Sequence, residues 1–207
     1  MPKSSDSDNS AESTADIIGH LSEAISRVDP SRSIAQEENA VRPVRSRALR
    51  LLDHRARSEQ ELRDRLLEAE FPQASVDTVI ADLAESGLID DRRFAEEWVR
   101  QRRTRRGKSR RVLREELRRK GVSDADCDHA LAEVSDDDEQ KLARHVAEDR
   151  ARRIRTVPAD RKEKYAHLRR IAAALARRGF PAGMSQRIAH DVVEERITEL
   201  SSDPDGE

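Results

Sequence analysis

A single cysteine, Cys127, stands in 207 residues, so no disulfide can form within the chain and no thiol pair can hold a metal. Aromatic residues make up only 2%. That leaves few large side chains for one thick core and few rings on which single-stranded bases could stack. No apolar run approaches the roughly 18 residues that cross a bilayer. The opening MPKSSDSDNS lacks the apolar stretch of a secretion signal, and the sequence reads as soluble and cytoplasmic. Sustained apolar–polar alternation is missing, as are hairpin dipeptides between such runs, so strands are not expected. The six histidines form no tight ligand pair with one another or with Cys127, and no serine–histidine–acid set has a recognisable local context. Gly107-Lys108-Ser109 has the ending of a phosphate-binding loop, but Arg102 stands where that loop needs glycine, and an Arg-rich helical stretch replaces the preceding strand. No enzyme, metal or cofactor is expected.

What is present is a repeat. Leu62, Leu66, Phe71, Val79, Ile80 and Leu83 share their spacing with Leu113, Leu117, Val122, Ala130, Leu131 and Val134, and again with Ile171, Leu175, Phe180, Ile188, Ala189 and Val192. Two apolar residues four apart mark a helix stripe, the third marks its exit, and the cluster beyond marks a second helix. Capping signals agree: Ser58 with Glu61 forms a capping box, Asp90 precedes the helix of Phe94 and Trp98, and Ser123 with Asp126 starts the helix of Ala130 and Leu131. Gly87, Gly121 and Gly179 each precede an apolar residue, the pattern of a left-handed helix exit. The first repeat has Glu70-Phe71 there, which predicts a less sharp end. Gly107 breaks the chain between two helices, and Cys127 and the Phe94–Trp98 pair read as packing residues.

The sequence therefore predicts an all-α, elongated tandem array of three three-helix, helix-turn-helix-like repeats over 43–88, 90–135 and 137–200. Each opens with a helix and continues with two shorter ones. Residues 1–40 form an acidic tail expected to be disordered, with one short helix possible around Ile17, Ile18, Leu21 and Ile25.

The net charge of -2 conceals segregation. Residues 1–40 carry a net of -5, Arg100–Val122 a net of +10, Ser123–Asp149 a net of -8, and Arg150–Arg178 a net of +9. A GC-rich genome accounts for the excess of arginine over lysine, 34 to 6, but not for the blocks. Solvated helix surface is the plain reading of the basic runs; contact with an anionic partner is the functional one. The acidic run Asp136–Glu139 would repel phosphates, which tilts the reading towards a protein or a mixed nucleoprotein surface. The residues singled out for such contact are Arg100, Arg103, Arg106, Lys108, Arg110, Arg111 and Arg114 in the second repeat, with Arg169, Arg170, Arg177 and Arg178 in the third.

Gly87-Leu88-Ile89-Asp90-Asp91, Phe94-Ala95 and Trp98-Val99-Arg100 resemble the signature of the RecX family of recombination regulators. The likeness extends upstream through Ala48-Leu49, Leu51-Leu52, Arg55, Ser58 and Glu61-Leu62 to Leu66. Downstream it takes in Gly107-Lys108, Leu113, Glu116-Leu117, Lys120-Gly121-Val122, Lys164-Tyr165, Leu168, Arg170, Leu175, Arg178-Gly179-Phe180 and Ile188, so that it covers roughly 43–200. The resemblance implies a non-enzymatic protein of three tandem three-helix repeats. It implies binding to the RecA recombinase, mainly as its filament on single-stranded DNA, in the filament's helical groove. There such proteins depress ATP hydrolysis, strand exchange and the co-protease activity that triggers the SOS response. Because the repeats are internal, a monomer is expected, with direct nucleic-acid binding at most weak. The rival reading is a tandem helix-turn-helix module acting directly on DNA. The long acidic tail and the basic loop near Arg150–Lys162 depart from the family pattern.

Overall fold

The computed structural model describes residues 30–202, with side chains from residue 38. Among the described residues there are nine α-helices and no strand. Module one contains α1 (Pro30–His54), α2 (Glu59–Leu67) and α3 (Gln73–Glu85). Module two contains α4 (Asp91–Arg106), α5 (Arg110–Arg119) and α6 (Asp124–Ala132). Module three contains α7 (Asp136–Ala151), α8 (Arg161–Ala176) and α9 (Ala182–Ser202).

Each module has its own core. Val44, Leu62, Leu66, Val79, Ile80 and Leu83 close the first. Phe94, Leu113, Leu117, Val122, Cys127 and Leu131 close the second, with Trp98 packed at its margin. Val146, Ile171, Leu175, Phe180, Ala189 and Val193 close the third. Every extensive helix-on-helix contact falls within a module. Stability is thus divided among small cores plus what the junctions add, the behaviour of a one-dimensional array. Leu66, Leu117 and Leu175, all fully buried at equivalent positions, would each cost about 2–5 kcal/mol if truncated to alanine.

Most local signals are realised. Ser58, Asp90, Ser109, Ser123, Ser135 and Asp160 accept a backbone N–H in the first turn of their helices. The reciprocal capping box forms at Ser135–Asp138. At Ser58 only half of it forms, because Glu61 turns instead to Arg55, Arg57 and Lys120. Two expectations need correcting. The first helix begins at Pro30, where a missing N–H is harmless, and runs on through Pro43, so it starts well before residue 43. Residues 1–29 of the expected tail, with the Ile17–Ile25 segment, lie outside the described residues. In module three the second and third helices are not short: α8 has 16 residues and α9 has 21.

The third correction concerns the helix exits. Glu70 adopts φ 59, in the left-handed region with Gly121 at 76 and Gly179 at 90. The three exits share one hydrogen bond: Phe71 N–H to Leu66 O (3.4 Å), Val122 N–H to Leu117 O (3.2 Å) and Phe180 N–H to Leu175 O (3.3 Å). Each aromatic or valine then folds back on its own module core. Module one therefore ends its helix as sharply as the others, at the expense of a strained glutamate. Replacing the exposed Glu70 by glycine should stabilise the protein by about 0.5–1 kcal/mol, the left-handed strain less the extra freedom of glycine in the unfolded chain. Thermal or urea unfolding checks this, and an unchanged or lower stability would contradict it.

Candidate partner interface

The modules are joined by a repeated junction. The N-cap serine of the second helix in one module meets the residue just before the exit glycine of the next. Ser58 Oγ donates to Lys120 O at 2.6 Å, and Ser109 N–H donates to Arg178 O at 3.0 Å. Both serines are fully buried. A Cβ on Gly121 would lie under 3.0 Å from Gln60, and one on Gly179 under 3.0 Å from Ser109 and Val112. Left-handed geometry and close approach both demand glycine at these two places. Glu70 occupies the equivalent position in module one, where no N-cap serine of another module meets it among the described residues, and a side chain is tolerated there. At the other end Asp160, the equivalent N-cap of module three, is exposed.

Polar contacts reinforce both junctions. At the first, Lys120 Nζ reaches Glu61 at 2.9 Å and lies over the Trp98 ring at 4.4 Å, while Glu59 N–H donates to Asp91 at 2.8 Å. Trp98 Nε1 donates to Glu116, which Lys108 also pairs. Burial pushes the Glu61 carboxyl up, but hydrogen bonds from Arg55 and Lys120 outweigh it and hold its pKa at about 2, below the ordinary 4.5. A depressed carboxylate contributes stability that is full above its unfolded pKa and is lost as pH falls through its folded one. The first junction should therefore loosen between about pH 4.5 and 2, and Glu61→Gln should flatten the stability–pH profile in that window. A profile identical to that of the parent would contradict the assignment.

At the second junction Arg103 pairs with Glu139 at 3.0 Å and reaches Asp138 O at 3.3 Å. Glu139 also accepts from Arg110 N–H, whose guanidinium binds Val134 O at 2.9 Å and Asp136 at 3.1 Å. Arg178 Nε donates to Arg106 O at 3.2 Å, and Arg111 Nε to Gly179 O at 3.3 Å. Burial, with Arg150 and Arg177 nearby, lowers the pKa of Arg178. Two of the four acids after residue 135, Asp136 and Glu139, thus serve as internal counterparts to the basic run before them and neutralise part of its charge across the junction.

The eleven arginines and lysines singled out from sequence divide three ways. Arg103, Arg110 and Arg178 hold the second junction, and Arg111 shares its guanidinium between that junction and Glu115. Arg100, Lys108 and Arg114 pair within module two, with Glu97, Glu116 and Asp128. Among the described residues, Arg106, Arg169, Arg170 and Arg177 have no ion-pair partner. The set drawn from the basic run left out Arg105, exposed beside Arg106 at the end of α4 and without an ion pair among the described residues, and Arg102, stacked on Trp98 at 4.1 Å. It also passed over Arg150 and Arg153, whose nearness to α8 depends on how α7 packs. The spacing of Arg102 four residues after Trp98 was the one available signal.

No group of three or more histidine, cysteine or acidic residues is arranged to hold a metal among the described residues. No helix among them is long and apolar enough to cross a membrane.

Fold, junction and charge layout define a tandem three-helix-module protein whose polar flank is largely arginine. Sequence models described as the first and second three-helix domains of RecX match residues 45–83 and 90–131. The chain is 49% identical over 166 residues to a Regulatory protein RecX of Corynebacterium efficiens, covering 80% of this chain and 78% of that one. A protein of the same name from Mycobacterium sp. (strain JLS) is 40% identical over 177 residues, 84% of this chain and 90% of that one. The crystal structure of RecX from Lactobacillus salivarius superposes with a TM-score of 0.62 at 23% identity, over 74% of this chain and 97% of that one, and so shares the fold. The chain belongs to the RecX family.

Proposed function

We propose that the chain binds RecA, mainly as its filament on single-stranded DNA, lies in the filament groove and depresses ATP hydrolysis, strand exchange and co-protease activity. The observation that carries this reading is the repeated junction. It sets three similar modules in fixed register, so that contacts too weak to act alone can engage several filament subunits at once and gain from linkage. Bridging neighbouring subunits would hinder the motions that accompany ATP turnover. Arg100, Arg105 and Arg106, all exposed on the α4 flank of module two, suit an acidic protein face. The protein acts as a monomer and by binding alone.

The rival reading, direct recognition of duplex DNA by helix-turn-helix units, fits the charges poorly. The helix that would enter a major groove is the third of each module. In module two that helix carries Asp124, Asp126 and Asp128, and in module one Asp77, Asp82 and Glu85 with no base. RecA ATPase on single-stranded DNA, measured with this protein added below stoichiometry, should fall; an unchanged rate at every ratio would refute the proposal.

A further inference from the structure

Among the described residues, five arginines without an ion pair line one groove in module three. This groove, of about 590 Å³, runs between the end of α7 and one face of α8, and Arg150, Arg153, Arg169, Arg170 and Arg177 line it with His167. No carboxylate lines it, and none of the five guanidiniums has an ion pair among the described residues. Their neighbours differ: Arg152 is held by Asp149, Arg144 by Glu148 and Glu195, and Lys164 by Glu194. Carboxylates are thus within reach of this module's bases, yet the groove has been left without them. The negative ends of α7 and α8 favour cations at Arg150, Arg153 and Arg177. That does not account for Arg169 and Arg170, a turn or more inside α8.

The geometry points to a binding site for the phosphodiester backbone of single-stranded nucleic acid in this groove of module three. Guanidinium is the side chain best matched to phosphate, since it offers paired donors in one plane. From Arg169 to Arg177 the row extends about 12 Å along α8 at about 1.5 Å per residue, enough to follow several successive phosphates. The floor is closed by Ile154 and Ile171, both buried, and no Phe, Tyr or Trp lines the groove. Phosphate contacts therefore dominate over stacking, and binding should depend little on sequence. This rests on and deepens the filament reading by adding a nucleic-acid contact on module three to the protein contacts along the row, and its test leaves RecA out so that the two can fail separately.

The experiment is fluorescence anisotropy of a labelled oligo(dT) with the full chain at low salt. Arg169→Ala with Arg170→Ala, both exposed, should weaken binding about tenfold or more and flatten the log–log salt slope by about 1.4, at about 0.7 per phosphate contact on a single strand. Arg47→Ala with Arg187→Ala removes the same charge from exposed sites elsewhere and should leave the slope nearly unchanged. Circular dichroism should be the same for all three proteins. The lysine pair Arg169→Lys with Arg170→Lys should restore only part of the affinity, because the paired donors are lost. Equal effects of the two alanine pairs would overturn the site. So would displacement by poly-glutamate of matched charge as effective as by oligo(dT), because the groove would then read charge and not phosphate.

Discussion

Gly179→Ala and Gly121→Ala are each expected to destabilise the protein by about 2–5 kcal/mol and to uncouple the modules. Two costs add. A non-glycine residue in the left-handed region costs about 1–2 kcal/mol, and forcing a methyl into a filled contact costs about 1–3 kcal/mol. Gly87 is the internal control. It has the same kind of backbone, φ 69, but a Cβ there would meet nothing within 4 Å, so Gly87→Ala should show the backbone cost alone. The difference between Gly87→Ala and the other two measures the junction directly. Uncoupling should appear as broadened or split unfolding, with module three separating in Gly179→Ala and module one in Gly121→Ala. If all three substitutions cost the same, the tight junction does not exist in solution.

The second large effect concerns RecA. Arg105→Glu with Arg106→Glu should raise the concentration needed for half-inhibition of RecA ATPase about tenfold or more, with melting unchanged, because neither side chain has an ion-pair partner among the described residues. Arg103→Glu and Arg110→Glu should also reduce inhibition, but by a different route. Arg103→Glu would place a carboxylate beside Glu139, whose side chain is only 10% exposed, and Arg110→Glu would lose the bonds to Val134 O and Asp136 and set a carboxylate there, so both should lower the melting temperature as well. Leaving a largely buried charge facing a like charge costs several kcal/mol. Activity and stability measured together separate contact residues from junction residues, which activity alone cannot do. If Arg105→Glu with Arg106→Glu leaves inhibition intact, the α4 flank is not the docking face.

The course of the fold was legible because its signals are local. The stripe at Leu113 and Leu117, the serine caps and the glycine exits each act within a few residues, and their threefold recurrence made the array visible. Glu70 was misjudged because a residue-by-residue reading cannot show that its glycine counterparts answer to a neighbouring module as well as to backbone geometry. The basic residues were sorted less well, for the same reason. Charge is easy to count in sequence, but whether Arg103 faces solvent or Glu139, 36 residues on, is decided by packing between modules. The block of +10 followed by one of -8 was the available hint that part of the charge is spent internally. The arginine groove had no such hint, since it brings the end of one helix to the middle of the next across a loop.

Carbodiimide crosslinking of the chain to RecA assembled on single-stranded DNA, mapped by mass spectrometry, bears most directly on the row of modules as a grip on the filament. The chain's many carboxylates should join to RecA amines from all three modules, with the sites falling on at least two adjacent RecA subunits in the order module one, two, three. Crosslinks confined to one module and one RecA subunit, or equally abundant on RecA free of DNA, would contradict it.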